Sequence, residues 1–195
     1  MTTKLDRETV VGAALQLLNE VGIDGLTTRK LAEKLEVQQP ALYWHFQNKR
    51  ALLDALAAAM LAKKHKRSRP EKGEDWRVFL KENARSFRKA LLSYRDGARV
   101  HVGSMPPADE NGTAEIQIQF LCEAGFSPRE AMLALIAISH YVVGAVLEQQ
   151  APRSKPSSSK PSSVLLQTLF SEYKAGGEEA AFEYGLESLI LGLRQ

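Results

Sequence analysis

The sequence is poor in the groups that would tie it to an oxidising compartment or a bilayer. It holds one cysteine, Cys122, so no disulfide can close within the chain and the cytoplasm is the expected compartment. A free cysteine is most often a small buried hydrophobe, and Cys122 is expected to be one. No uninterrupted apolar run of about 18 residues appears, so no membrane partner is expected. The opening residues, MTTKLDRETV, are polar and lack the apolar stretch of a secretion signal. Strand-like alternation of apolar and polar residues is missing too. A dense ligand cluster such as H-E-x-x-H is absent, as is any nucleophile motif. A metal-dependent hydrolase built on His101, His140 and Glu148 therefore has little support, and no enzyme is expected.

What the chain does have is apolar material and helical periodicity. It has 195 residues, 44% of them hydrophobic, enough for a buried core. Charge is unevenly spread: residues 1–70 carry 12 Lys/Arg against 7 Asp/Glu, while residues 71–195 carry 14 against 16. A basic front on a near-neutral body fits a small nucleic-acid-binding head on a larger core. The expected fold class is all-α: an N-terminal three-helix DNA-binding domain over 1–48, a connecting helix over 49–67, and a core over 68–195 for ligand binding and dimerisation.

Helix signals recur along the chain. Val10, Ala14, Leu17, Leu18 and Val21 share one helical face, with Asp6 as N-cap and Gly22 as stop. Thr27 caps a short second helix, and Gln39-Pro40 starts a third. Asn48 opens a long helix with Leu52, Leu53, Leu56 and Met60 inward. Further helices are expected from Trp76 to Tyr94, Asp96 to His101, Thr113 to Glu123 and Pro128 to Gln150. The 128–150 helix is apolar almost all round and so needs cover on several sides. Residues 151–163, APRSKPSSSKPSS, read as a flexible linker. Two last helices follow, 164–174 and 178–193. The final one shows Phe182, Leu186, Leu189, Ile190 and Leu193 on one stripe. That stripe, with the 128–150 helix, fits either a four-helix interface between two copies or the core of one chain.

Two short helices joined by a tight turn, the second bearing exposed polar and aromatic groups, make a helix-turn-helix. Its second helix enters the major groove N-terminus first. Gln38, Gln39, Pro40 and Ala41 stand there. Gln39 can pair with adenine, and Pro40 and Ala41 can touch a thymine methyl. Arg29 can pair with guanine. Thr28, Tyr43, Trp44, His45 and Lys49 can hold phosphates and sugars. Tyr43 and Trp44 are alternatively half-buried packing with a polar tip.

The stretch GLTTRKLAEKLEVQQPALYWHFQNKRALLDALA closely resembles the DNA-binding domain of the tetracycline repressors of the TetR family. The resemblance continues through FLKENARSFRKALLSYRDGARVH, QFLCEAGFS and SHYVVGAVLEQQ. It implies a homodimer that binds a palindromic operator, is released by a tetracycline–Mg²⁺ chelate, and controls a tetracycline efflux pump. It also implies a pocket. His65, Asn83 and Phe87 match residues holding the drug's polar edge and face. His101 matches the direct Mg²⁺ ligand. Thr113, Gln117, Met132, Leu135, Ser139 and His140 match the wall. Ser104, Pro106 and Glu148 complete the set, with Ser104 and Glu148 reaching the metal through water. Taken singly, His65 fits a solvated basic tail, His101 a helix cap and His140 a core histidine. The chain departs from the family at Glu36, where a small residue is common in the turn. It departs again at Met105, where an arginine is usual. Met105 favours a regulator of the same fold that answers another small molecule. A constitutive DNA-binding protein with a solid core is a third reading.

Overall fold

The computed structural model describes residues 5–104, 112–152 and 163–193. Pro106, Met105 and residues 153–162 of the expected linker lie outside the described residues. All the elements among the described residues are helices, with no strand among them. The elements are α1 (Arg7–Gly25), α2 (Thr28–Lys34), α3 (Pro40–Tyr43), α4 (Lys49–Lys64), α5 (Trp76–Leu92), α6 (Gly97–His101), α7 (Thr113–Glu123), α8 (Pro128–Gln150) and α9 (Val164–Gly192).

Local chemistry sets most of these ends. The side chains of Asp6, Thr27, Asn48 and Asp75 accept from backbone N–H groups in the first turns of α1, α2, α4 and α5. Ser127 and Glu130 form a reciprocal capping box at α8, just ahead of Pro128. Each such cap contributes about 1 kcal/mol. Gly22 (φ +72°) and Gly177 (φ +68°) break α1 and α9 internally, so each label covers two helical arms.

Burial divides into two clusters. The first joins Val10, Ala14, Leu18, Leu31, Leu42 and Phe46 of the head to Leu52, Leu56 and Met60 of α4. The second holds Trp76, Phe79, Phe87 and Leu91 of α5, Leu121 of α7, Ile138 and Val142 of α8, and Phe182, Leu186 and Ile190 of α9. Cys122 is half-buried and packs at the edge of the second. Helix α6 belongs to both: Val100 is buried in the first cluster and Ala98 in the second.

The structure decides between the two readings of the stripe on the last helix. Phe182, Leu186 and Ile190 are buried within the chain, so this stripe forms intrachain core. Charge and stacking pin the arm there. Arg85 grips Glu183 with two bonds of 2.6 and 2.9 Å, Lys81 pairs with Glu187, and Arg88 pairs with Glu179. Tyr141 stacks on Phe182 and its hydroxyl donates to the Phe182 carbonyl oxygen (2.8 Å). The face left outward is a different one: Met132, Leu133 and Ile136 of α8 with Tyr184 and Leu191 of α9. Helix α8 is long and apolar enough to cross a membrane by composition, yet its Ala131, Ala134, Ile138, Val142 and Val146 face packs inside the protein.

The turn between α2 and α3 carries Glu36 at φ +56°, the left-handed region. An L-residue there costs about 1–2 kcal/mol, and glycine avoids most of it. Glycine also loosens the unfolded chain, which offsets about 0.4–1 kcal/mol. Glu36→Gly is therefore expected to stabilise the protein by about 0.5–1 kcal/mol in urea melts. A loss of stability would show that the turn is not strained.

Candidate functional site

The DNA-facing surface is built by what α3 buries. Leu42 and Phe46 anchor it in the first cluster, while Gln38, Pro40, Tyr43 and Trp44 stay exposed. Trp44 is 90% exposed, which removes the reading of half-buried packing for it. An aromatic ring so open on a basic head is a contact surface in waiting. Gln39 is partly buried, and its amide nitrogen donates to the Thr28 hydroxyl (2.9 Å), tying the start of α3 to the start of α2. Arg29 is exposed and lies 3.8 Å from Glu33, a loose pair that DNA can displace. Ala41 and His45 are half-buried, and exposed Lys49 sits at the first turn of α4.

The core site assembles around Phe87. On α5, Asn83, Ser86 and Phe87 share one face at i, i+3 and i+4. His65 caps the end of α4 and comes down on that face. Its Nδ1 lies 3.0 Å from the Ser86 hydroxyl oxygen, and its ring lies 5.7 Å from the Phe87 ring. The Asn83 amide nitrogen donates to the Arg67 carbonyl oxygen (2.9 Å) and stands 3.5 Å from His65 Nε2. On the other side His101, at the end of α6, meets Phe87 edge-on with centroids 5.1 Å apart. The solvated-tail reading of His65 is thus set aside. So is the cap reading of His101, whose Nδ1 is buried with no hydrogen-bond partner among the described residues.

Burial, with no compensating acid, lowers both imidazoles. His65 is drawn down to about 4, and His101 is also held below its ordinary value. Both rings are neutral at pH 7 and so retain a nitrogen lone pair. Around them, the Gln117 amide donates to the Ser68 carbonyl oxygen (2.5 Å), and the Ser104 hydroxyl donates to the His101 carbonyl oxygen (2.7 Å). Leu135 is half-buried against the same cluster as Phe87. Thr113 and Ser139 are half-buried on α7 and α8.

Other expected members stand apart within one chain. Met132, His140 and Glu148 are exposed on α8, so His140 is not a core histidine. Among the described residues no group of three or more His, Cys, Asp or Glu side chains could hold a metal by itself. Sequence reasoning missed Ser86 and Ser68, which orient His65 and Gln117. The α5 spacing of Ser86 relative to Asn83 was the available signal for the first, and nothing local marked the second.

The acid response of the fold follows from His65. In the unfolded chain the ring titrates near 6.5, so below that pH the unfolded state takes up a proton the native site refuses. Its contribution is complete above 6.5 and is lost as pH falls toward 4. Between pH 7 and 5, His65→Gln should lose about 2 kcal/mol less stability than the parent chain in urea melts at matched concentration. Equal losses would remove His65 from the account.

Comparison with known proteins agrees with this layout. Residues 10–56 match the family described as "Bacterial regulatory proteins, tetR family", and residues 69–195 match "Tetracyclin repressor-like, C-terminal domain". The chain is 63% identical to the class G tetracycline repressor of Vibrio anguillarum, covering 99% of this chain and 95% of that protein. It is 58% identical to the class A repressor of transposon 1721 from Escherichia coli, covering 98% and 91%. A crystal structure of a TetR variant from Acinetobacter baumannii AYE in complex with minocycline superposes with TM-score 0.92 at 64% identity, covering 98% of this chain and 94% of that one. A class A TetR with 5a,6-anhydrotetracycline and magnesium gives 0.77 at 54%, covering 97% and 98%. The head and the core are both matched along their length, and the chain belongs to the TetR family of bacterial transcription regulators, as one of its tetracycline repressors.

Proposed function

We propose that two copies of this chain form a repressor that holds a palindromic operator and lets go when a tetracycline–Mg²⁺ complex enters the core, so controlling tetracycline efflux. The observation that carries this reading is the convergence of His65, Asn83, Phe87 and His101 on one apolar ring, with both imidazoles kept neutral. A pocket that is largely apolar with a few placed polar groups suits a flat, oxygen-rich polycycle. Phe87 offers the apolar face. Asn83 and His65 offer donors and acceptors for the drug's amide and enol edge. Gln117, Thr113, Leu135 and Ser139 are half-buried and suit the wall, and the resemblance adds Met132, His140 and Pro106 to it.

The residues fit the metal of the chelate. His101 has a neutral ring with one buried nitrogen unused by protein, which makes it a suitable direct ligand. Ser104 keeps lone pairs to accept from a metal-bound water, and the resemblance assigns exposed Glu148 to such a water in the site of a second copy. When bound, Mg²⁺ adds a compact double charge that gathers drug oxygens and waters octahedrally. The outward Leu133, Ile136, Tyr184 and Leu191 face supports pairing of two copies through α8 and α9. Met105, the residue that favoured a different inducer, lies outside the described residues, and no observation favours that reading.

Pairing sets the spacing of two heads, and adjacent half-sites lie about 34–36 Å apart on one face of B-DNA. Drug releases DNA because it binds better to the conformation in which that spacing is wrong. The deciding experiment is fluorescence anisotropy on a palindromic tetracycline operator, with and without tetracycline and Mg²⁺. The parent chain should bind and then release. His101→Ala should bind the operator as before but need at least about tenfold more drug, as expected when a metal ligand is lost. Gln39→Ala should weaken the operator by about 1–3 kcal/mol and relax its sequence preference. Operator binding that ignores tetracycline with Mg²⁺ would end the reading.

A further inference from the structure

We propose that Arg99 and Asp24 form an ionic latch through which α6 sets the pose of the reading head directly, in parallel with the covalent route along α4. This rests on the repressor reading above and makes Arg99 a positioning residue for drug release.

The two guanidinium ends of Arg99 meet both carboxylate oxygens of Asp24 at 2.8 and 2.9 Å, across 75 residues of sequence. Paired planar contacts of this kind fix direction as well as distance. Arg99 holds the Asp24 carboxyl below the ordinary carboxylate range. The latch closes over a tighter seam. Asp96, in the left-handed region at φ +57°, turns its carboxylate to accept from the Ile23 backbone N–H (2.9 Å). Gly22 permits that approach, because a Cβ there would lie 2.7 Å from the Asp96 oxygen. The Arg95 backbone N–H donates to the Asn19 side chain (2.9 Å), and the Arg95 guanidinium donates to the Glu20 carbonyl oxygen (3.0 Å). Residues 95–99 of the core thus dock on residues 19–24 of the head, beside a cleft of about 350 Å³.

The route from the pocket is short. His101 and Arg99 ride on the same five-residue helix, two positions apart. Gln150 of α8 clamps that helix from the core side. Its side-chain oxygen accepts from Ala98 N–H (3.2 Å), and its amide donates to the Tyr94 carbonyl oxygen (2.8 Å). A displacement of α6 driven at His101 therefore has Arg99 within one helical turn of it. Of the seam contacts, Arg99–Asp24 is the exposed side-chain pair, with Asp24 83% open to solvent. An exposed pair is modest in strength, so removing it should loosen the coupling of α6 to the head while leaving the rest of the seam in place.

The test uses the full dimer and three variants, Arg99→Gln, Asp24→Asn and the double. Tetracycline–Mg²⁺ affinity of the free dimer is read by fluorescence, and operator affinity by anisotropy with and without saturating drug. Each single variant should bind drug as the parent does, melt at nearly the same temperature, and show a drug-induced loss of operator affinity reduced about twofold to fivefold. The double variant should be no worse than Arg99→Gln, since the Asp24 contact is lost only once and Arg99→Gln already removes the 3.5 Å approach of Arg99 to Asp96. Losses that add in the double variant, or release unchanged in both single variants, would overturn the latch. Failure of the parent chain to release the operator with drug would instead strike the repressor reading, so the two failures are told apart.

Discussion

Helix α6 lies so hard against α5 that position 97 admits no side chain. A Cβ on Gly97 would stand 2.0 Å from the Leu91 carbonyl oxygen. That contact fixes the start of a helix with only five residues, and the rest of its surface is divided between two cores. Ala98 is buried with α5 and α8, while Val100 is buried with the head and α4. Packed interiors do not deform smoothly, because each buried side chain already sits at close contact. A helix shared by two such interiors therefore moves as a unit or not at all. The same physical constraint that makes α6 a poor place for substitution makes it an efficient link between a ligand pocket and a DNA-reading surface.

The pocket follows a related logic of restraint. Two histidines are buried beside one phenylalanine without an acid to charge them, so burial wins and both stay neutral. A protonated ring would repel a cation, whereas a neutral one presents a lone pair. The cost appears in the acid range, where the unfolded chain gains protons that the site excludes. Ser86 and Asn83 stand beside the two ring nitrogens of His65, and an Asn83 N–H turned to Nε2 favours the neutral ring further. His101 has no such partner at Nδ1 among the described residues. An unsatisfied buried polar atom costs about 1–3 kcal/mol, and a ligand that satisfies it recovers that energy on binding.

Much of this was legible in the sequence, for definite reasons. Helix ends could be read because Asp6, Thr27, Asn48 and Ser127 are side chains that cap, and their partners lie within one turn. The inward positions Leu18, Leu56 and Phe87 could be read from spacing. What could not be read depends on contacts between distant segments. Phe182, Leu186 and Ile190 form a stripe by period alone, but whether it meets its own chain or a second copy is decided by Arg85, Arg88 and Lys81 on α5. Arg99 and Asp24 carry no local signal at all, since exposed charges on a helix are ordinary. Glu36 was visible as a departure, and the left-handed backbone beneath it was not.

The exposed α8 and α9 face closes the argument about architecture. Leu133, Ile136, Tyr184 and Leu191 are large, outward and on two adjacent helices, while the inward faces of those helices are already filled. Apolar surface of that kind is covered in a stable soluble assembly. A second copy could cover it with identical residues under two-fold symmetry. Once α8 is fixed at that interface, Gln150 at its end holds α6, and α6 holds the head. Hydrogen bonds thus run from the end of α8 through α6 to the head within one chain. The cluster around Phe87 lies beside that line, because His101 of α6 is one of its members, so a ligand seated there would act on the head through α6.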